Sequence, residues 1–162
     1  MNNANNGAAS RPPWHLTTAG IGIGALAALG VLASTSAGHA AAATVSVEQP
    51  WMRFIIKSRP AAGYFVLHNN GDAAVELVGA ASPACGMLML HQSKQVNGVE
   101  KMLMVNSIKV PAHGSVTFAP GGYHLMCMKP TAAMQVGQSV QVTLSFAGGD
   151  KVSAPFPVKG AK

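Results

Sequence analysis

The chain has 162 residues, 11 Lys or Arg against 5 Asp or Glu, and a formal net charge of +6. That length accommodates one ordinary domain. The basic residues are scattered rather than gathered beside aromatics, which argues against a nucleic-acid partner, and five acids are too few for an oxygen-lined calcium or magnesium site.

Residues 1–40 read as a secretory signal peptide. Arg11 and His15 precede an apolar run from about Ala19 to Ala33, which ends in the small residues Ser34 to Ala40. A basic region, an apolar core and a small-residue exit predict cleavage after Ala40 or Ala42 and export to the periplasm. The alternative is an uncleaved anchor in the inner membrane. After cleavage no stable membrane insertion is expected. No cysteine stands directly after the apolar run and no Arg-Arg pair precedes it, so neither a lipid-modified N-terminus nor export in the folded state is expected.

Residues 41–162 form the domain, and they show short runs rich in Val, Leu and Phe punctuated by Gly, Pro and Asn. The predicted strands are Thr44–Gln49, Gly63–His68, Ala73–Ala80, Gly86–Gln92, Val99–Asn106, Ser115–Ala119, Tyr123–Met128, Ser139–Phe146 and Lys151–Val158. Asn69-Asn70-Gly71-Asp72, Asn97-Gly98 and Pro120-Gly121-Gly122 mark turns between them. Short strands at this spacing predict an all-β fold, a sandwich or barrel.

Four side chains suited to a soft metal, His91, Met102, His124 and Met126, stand in the pattern H-x10-M-x21-H-x-M with Glu100 the sole acid between them. Imidazole with thioether favours Cu(I), because the thioether sulfur is soft and uncharged. Strand alternation places Met87, Met89 and His91 on one face against Leu88 and Leu90. It places His124, Met126 and Met128 against Leu125 and Cys127, and Met102 and Met104 against Leu103. Each segment thus offers leucine to a core and Met or His to something else. Met87, Met89, Met104 and Met128 are assigned an outer or docking role, with Met87 and Met89 also open to an alternative or entry site for the metal.

Zinc fits less well, since paired Cys or His spacings are missing, and an electron-transfer copper needs a thiolate that alternation turns toward the core. Two cysteines in an exported protein first suggest a disulfide. Here Cys127 reads as a buried free thiol, because a bridge would require the loop carrying Cys85 to dip into the core. His68, at a strand end, and His113, in a turn, read as solvated, and Trp51 as a core or edge anchor. No catalytic constellation is evident, and the chain is not expected to be an enzyme.

Trp51-x-Arg53, Ala61-Ala62-Gly63-Tyr64, a strand ending in Asn69, His91, Gly98-Val99-x-Lys101-Met102 and Pro120-Gly121-Gly122-x-His124-x-Met126 together resemble the PCu(A)C periplasmic copper chaperones. The resemblance covers the whole mature chain. It implies a cupredoxin-like, Greek-key β-sandwich whose Cu(I) ligands would be His91, Met102, His124 and Met126. It also implies delivery of copper to the binuclear copper centre of cytochrome c oxidase, often alongside a Sco-type thiol protein; separately, a monomer is expected. The chain departs from the family at Gln92, where Met is frequent, at Met89, where an acid is frequent nearby, and at Cys127, where Leu is frequent. A Met- and His-rich C-terminal tail, which some relatives carry, is not expected. Two readings remain beside the chaperone: a copper-buffering or resistance protein without a dedicated acceptor, and a non-metal interaction domain with a sticky methionine surface.

Overall fold

The computed structural model describes residues 44–161, so the expected signal, its cleavage point and Lys162 lie outside the described residues. Ten strands follow in order: β1 (Val45–Arg53), β2 (Ala61–Asn69), β3 (Val75–Ala81), β4 (Cys85–Val96), β5 (Val99–Met104), β6 (Ile108–Val110), β7 (Gly114–Phe118), β8 (Tyr123–Pro130), β9 (Ser139–Phe146) and β10 (Lys151–Lys159). The expected all-β architecture is what the chain adopts. Among the described residues no helix is long and apolar enough to cross a membrane.

Nine of these strands stand where hydrophobic alternation predicts them. The tenth, β6, has three residues, too few to show a period, and exists through its pairing with β3, Val75 opposite Val110 and Leu77 opposite Ile108. β1 runs further than predicted. A register shift between Glu48 and Trp51, with Gln49 at φ 48°, lets the strand carry Pro50 and resume pairing with β2. Such a bulge tolerates a residue that has no N–H to donate.

The strands hydrogen-bond in the order β5-β4-β8-β7-β2-β1-β10-β9-β3-β6, and β8 also pairs with β2. Sequence neighbours are thus frequently not sheet neighbours. β3 packs near β4 without hydrogen-bonding to it. Phe65, Phe118 and Phe156 meet inside, with Phe65 stacked on Phe118 at 4.2 Å between centroids and edge-on to Phe156 at 5.5 Å. Met52, Leu67, Leu77, Leu125, Val142 and Leu144 complete a core that is essentially dry. Gly63 permits the close approach of β1, β2 and β8, since a Cβ there would lie 2.8 Å from Sδ of Met52 and 3.1 Å from Cβ of Leu125.

Asn69, the buried end of β2, ties three segments together. Its side-chain amide donates to the carbonyls of Ala73 (2.8 Å) and Pro111 (3.0 Å), and its Oδ1 accepts the Gly71 N–H (3.1 Å). A buried amide must be satisfied in this way to be tolerated.

Cys127 is not a free thiol. It is fully buried, as its alternation predicts, but it is bonded to Cys85 with Cα atoms 5.4 Å apart. The loop before β4 does what such a bridge requires: Ala84 is buried in the core, and its carbonyl accepts the Thr131 N–H at 2.9 Å. Alternation describes regular strand and says nothing about a loop that bends inward just before it.

Candidate metal centre

β4 and β8 run antiparallel with His91 directly opposite His124, Met89 opposite Met126 and Met87 opposite Met128. Directly opposed residues project from the same face. On the other side of β4, β5 sets Met104 opposite His91 and Met102 opposite Ser93. All four predicted ligands therefore lie on one face of a three-strand ribbon. Met102 sits diagonally from His91, and Met104 occupies the position directly across from it.

The opposite face behaves as predicted on β4 and β8, where Leu88, Leu90 and Leu125 are buried. Leu103 does not. It is 45% exposed, because β5 is the end strand of the sheet order and all six of its residues project beyond the core. The strand is held instead by its turn. Val96 pairs with Val99 across Asn97 and Gly98, whose positive φ values of 53° and 78° are those of a two-residue hairpin turn.

Met102, His124 and Met126 line one cavity of about 540 Å³, together with Ser93, Tyr64, Ala62, Glu100 and, from the β1–β2 connection, Arg59. His91 is not in that wall. It stands beside His124, with ring centroids 5.8 Å apart. The row of rings continues from His124 to Tyr64 at 6.5 Å and from Tyr64 to Trp51 at 4.8 Å. Trp51, on an interior strand, packs on Tyr64 and through it supports the site.

The Pro120-Gly121-Gly122 turn fixes the His124 ring. Gly121 has φ +80°, a conformation that favours glycine, and the Gly122 N–H donates to the Ala119 carbonyl at 3.0 Å. The Gly122 carbonyl then accepts both the Ser93 N–H (3.0 Å) and Nδ1–H of His124 (3.1 Å). With the proton on Nδ1, Nε2 of His124 keeps its lone pair. A backbone carbonyl behind one nitrogen is the usual way a metal-binding imidazole is oriented.

Nδ1 of His91 is buried and has no hydrogen-bond partner. Burial, and secondarily the neighbouring His124, hold the His91 pKa below the usual 6.5. Both influences favour the neutral ring, the form that offers a lone pair. An orphaned buried nitrogen is costly unless something else satisfies it.

Among the described residues no three His, Cys, Asp or Glu side chains converge as a metal-binding group. The disulfide removes both cysteines as thiolate donors. What remains at this face, apart from Glu100, is imidazole and thioether. Arg53 and Arg59 border the cavity against one carboxylate, Glu100. That balance opposes a divalent cation twice as strongly as a monovalent one, since the Coulomb energy scales with charge.

Sequence reasoning did not place Tyr64, Arg53 or Arg59 at the site. Arg59 lies in a loop with no periodicity to orient it, and nothing in the sequence alone marks it. His113, expected to be solvated, is exposed and stands beside Asp72 (2.9 Å); His68 is partly exposed beside Glu48 (3.3 Å), and neither lines the cavity.

The model of the family described as "Putative lipoprotein LpqE-like" matches residues 45–158. The chain is 34% identical over 116 residues to "Putative lipoprotein Lxx21020" of Leifsonia xyli subsp. xyli (strain CTCB07), a match spanning 71% of this chain and 69% of that protein. The fold is similar to that of the copper-bound PCuAC domain from PmoF2, with a TM-score of 0.60 at 24% identity over 73% of this chain and 94% of that one. It is also similar to the solution structure of CuI-DR1885 from Deinococcus radiodurans, with a TM-score of 0.53 at 27% identity over 78% of this chain and 83% of that one.

Proposed function

We propose, from the premise that this chain belongs to the LpqE-like family and has the fold of PCuAC domains, that it binds Cu(I) and hands it to a partner protein. The ligands in this reading are His91, Met102, His124 and Met126. The observation that carries it is the cross-strand imidazole pair, one nitrogen orphaned and one kept free by a backbone carbonyl, beside two thioethers with no carboxylate ligand among them. Structural relatives whose names record bound copper support the same ion.

The donor set suits the compartment. Thioethers neither protonate nor form disulfides, so they hold a soft ion where a free thiolate would be oxidised. The Cys85–Cys127 bond is itself what an oxidising compartment favours, which supports export to the periplasm. Transfer needs no chemistry on a substrate. Ligands can leave the ion one at a time, beginning with the exposed Met102, and a thiolate-bearing acceptor is favoured by softness. The acceptor proposed is the copper-centre subunit of cytochrome c oxidase, with a Sco-type thiol protein as the alternative carrier in the same route.

Competition of the purified protein against a Cu(I) chelator tests the site. Met102→Ala combined with Met126→Ala is expected to weaken Cu(I) binding by more than the about 10–100-fold that loss of an outer-shell partner costs. Unchanged affinity would remove the ligand set. Transfer to an apo copper-centre domain separates delivery from buffering, because a pure buffer does not accelerate metallation.

A further inference from the structure

We propose a second subsite for a soft monovalent metal ion, built from Met87, Met89 and Met128 and continuous with Met126 on the outward face of β4 and β8. It goes beyond the Cu(I) site described above, with which it shares one residue. The register stacks three rungs along the ribbon: Met87 with Met128, Met89 with Met126, then His91 with His124. Opposed Cβ atoms in such pairs lie about 4.5–5.5 Å apart, and successive rungs lie about 7 Å apart along the strand. The unbranched methionine side chain has three rotatable bonds, so sulfurs from both strands can converge on one ion between them.

Packing does not explain the choice of methionine here. The core is served by the other face, where Leu88, Leu90 and Leu125 are buried, whereas Met87 is 58% exposed and Met89 and Met128 are only partly covered. Every position in the two outer rungs is a thioether. Four uncharged soft donors without a carboxylate select Cu(I) or Ag(I) and give hard divalent ions nothing to bind. Sequence alone groups Met87 and Met89 with His91, and Met128 with Met126 and His124; the strand register joins the two groups into a ladder that leads to the imidazole pair. An ion taken up at the exposed Met87–Met128 rung reaches His91 and His124 by exchanging one thioether for the next, with no change of oxidation state.

The test uses Ag(I), a redox-inert counterpart of Cu(I), titrated into the purified protein while the methionine methyl resonances are followed by NMR and stoichiometry by native mass spectrometry. Two ions per chain are expected, with the Met87 and Met128 methyls shifting. Met87→Leu combined with Met128→Leu should reduce the count to one and leave the shifts at His91 and His124 intact. In His91→Ala combined with His124→Ala, the Met87 and Met128 shifts should persist. A single ion that leaves the Met87 and Met128 methyls unmoved overturns the subsite and makes those residues plain apolar surface, while the four-ligand site stands. Conversely, wild-type shifts at Met87 and Met128 with none at the two histidines support the subsite and remove the ligand set proposed above.

Discussion

Along β4 and β8 alternate residues of the same two strands have opposite roles. One face presents Leu88, Leu90, Leu125 and Cys127, all buried; the other presents Met89, His91, His124 and Met126, of which His124 and Met126 line an open cavity. The backbone is shared, so the difference lies entirely in side-chain chemistry and in what covers each face. The inward face faces a closed core and is constrained by shape. The outward face is constrained by donor type. Substitutions that keep shape and those that keep donor should therefore have opposite effects on the two faces.

The largest effect tests that division on adjacent residues. Leu125→Ala removes a fully buried side chain and should destabilise the apo protein by about 2–5 kcal/mol. Met126→Leu, one residue along, keeps the volume and should cost less than about 1.5 kcal/mol, yet it should weaken Cu(I) binding strongly. Urea unfolding and chelator competition on both variants read the two quantities. Equal losses of stability would erase the distinction between the faces.

The disulfide belongs to the inward face and should follow its rule. Replacing Cys85 and Cys127 together by alanine opens a crosslink between residues 42 apart in sequence, with an expected loss of about 2–4 kcal/mol. Cys127 projects away from the ligands, so Cu(I) affinity measured in the folded variant should change only slightly. A large fall in affinity with little loss of stability would mean that the bond positions the ligand strands rather than holding the core.

How much of this was legible in the sequence follows from the same contrast. Alternation within a strand is a property of the local chain, so the division of Leu88 and Leu90 from Met89 and His91 could be read directly. So could the turn residues Asn97 and Gly98, whose positive φ values the structure bears out. Register between strands is a property of the fold. Nothing in the order of residues says that His91 faces His124, that Met104 rather than Met102 stands directly across from His91, or that Met87 and Met128 form a rung. The same limit explains Leu103, whose alternation is that of a core residue but whose strand lies at the sheet edge. It also explains Cys85, brought to Cys127 by a loop that no periodicity describes.

The smallest effect separates burial from charge within the outward face. The His91 pKa is lowered first by burial and second by His124. In the apo protein, NMR should find its midpoint below 6.5. The sign of the linkage follows: between that midpoint and 6.5 the unfolded chain carries a proton on residue 91 that the folded chain does not. Stability therefore falls as pH drops through this window and levels off below the folded midpoint. His91→Gln should flatten that part of the stability profile relative to the wild type. His124→Gln should raise the His91 midpoint only partway, because it removes the lesser cause and leaves burial in place. Full return to 6.5 would make the pair's mutual repulsion the dominant influence, and the orphaned Nδ1 would then owe its neutrality to its neighbour rather than to the wall around it.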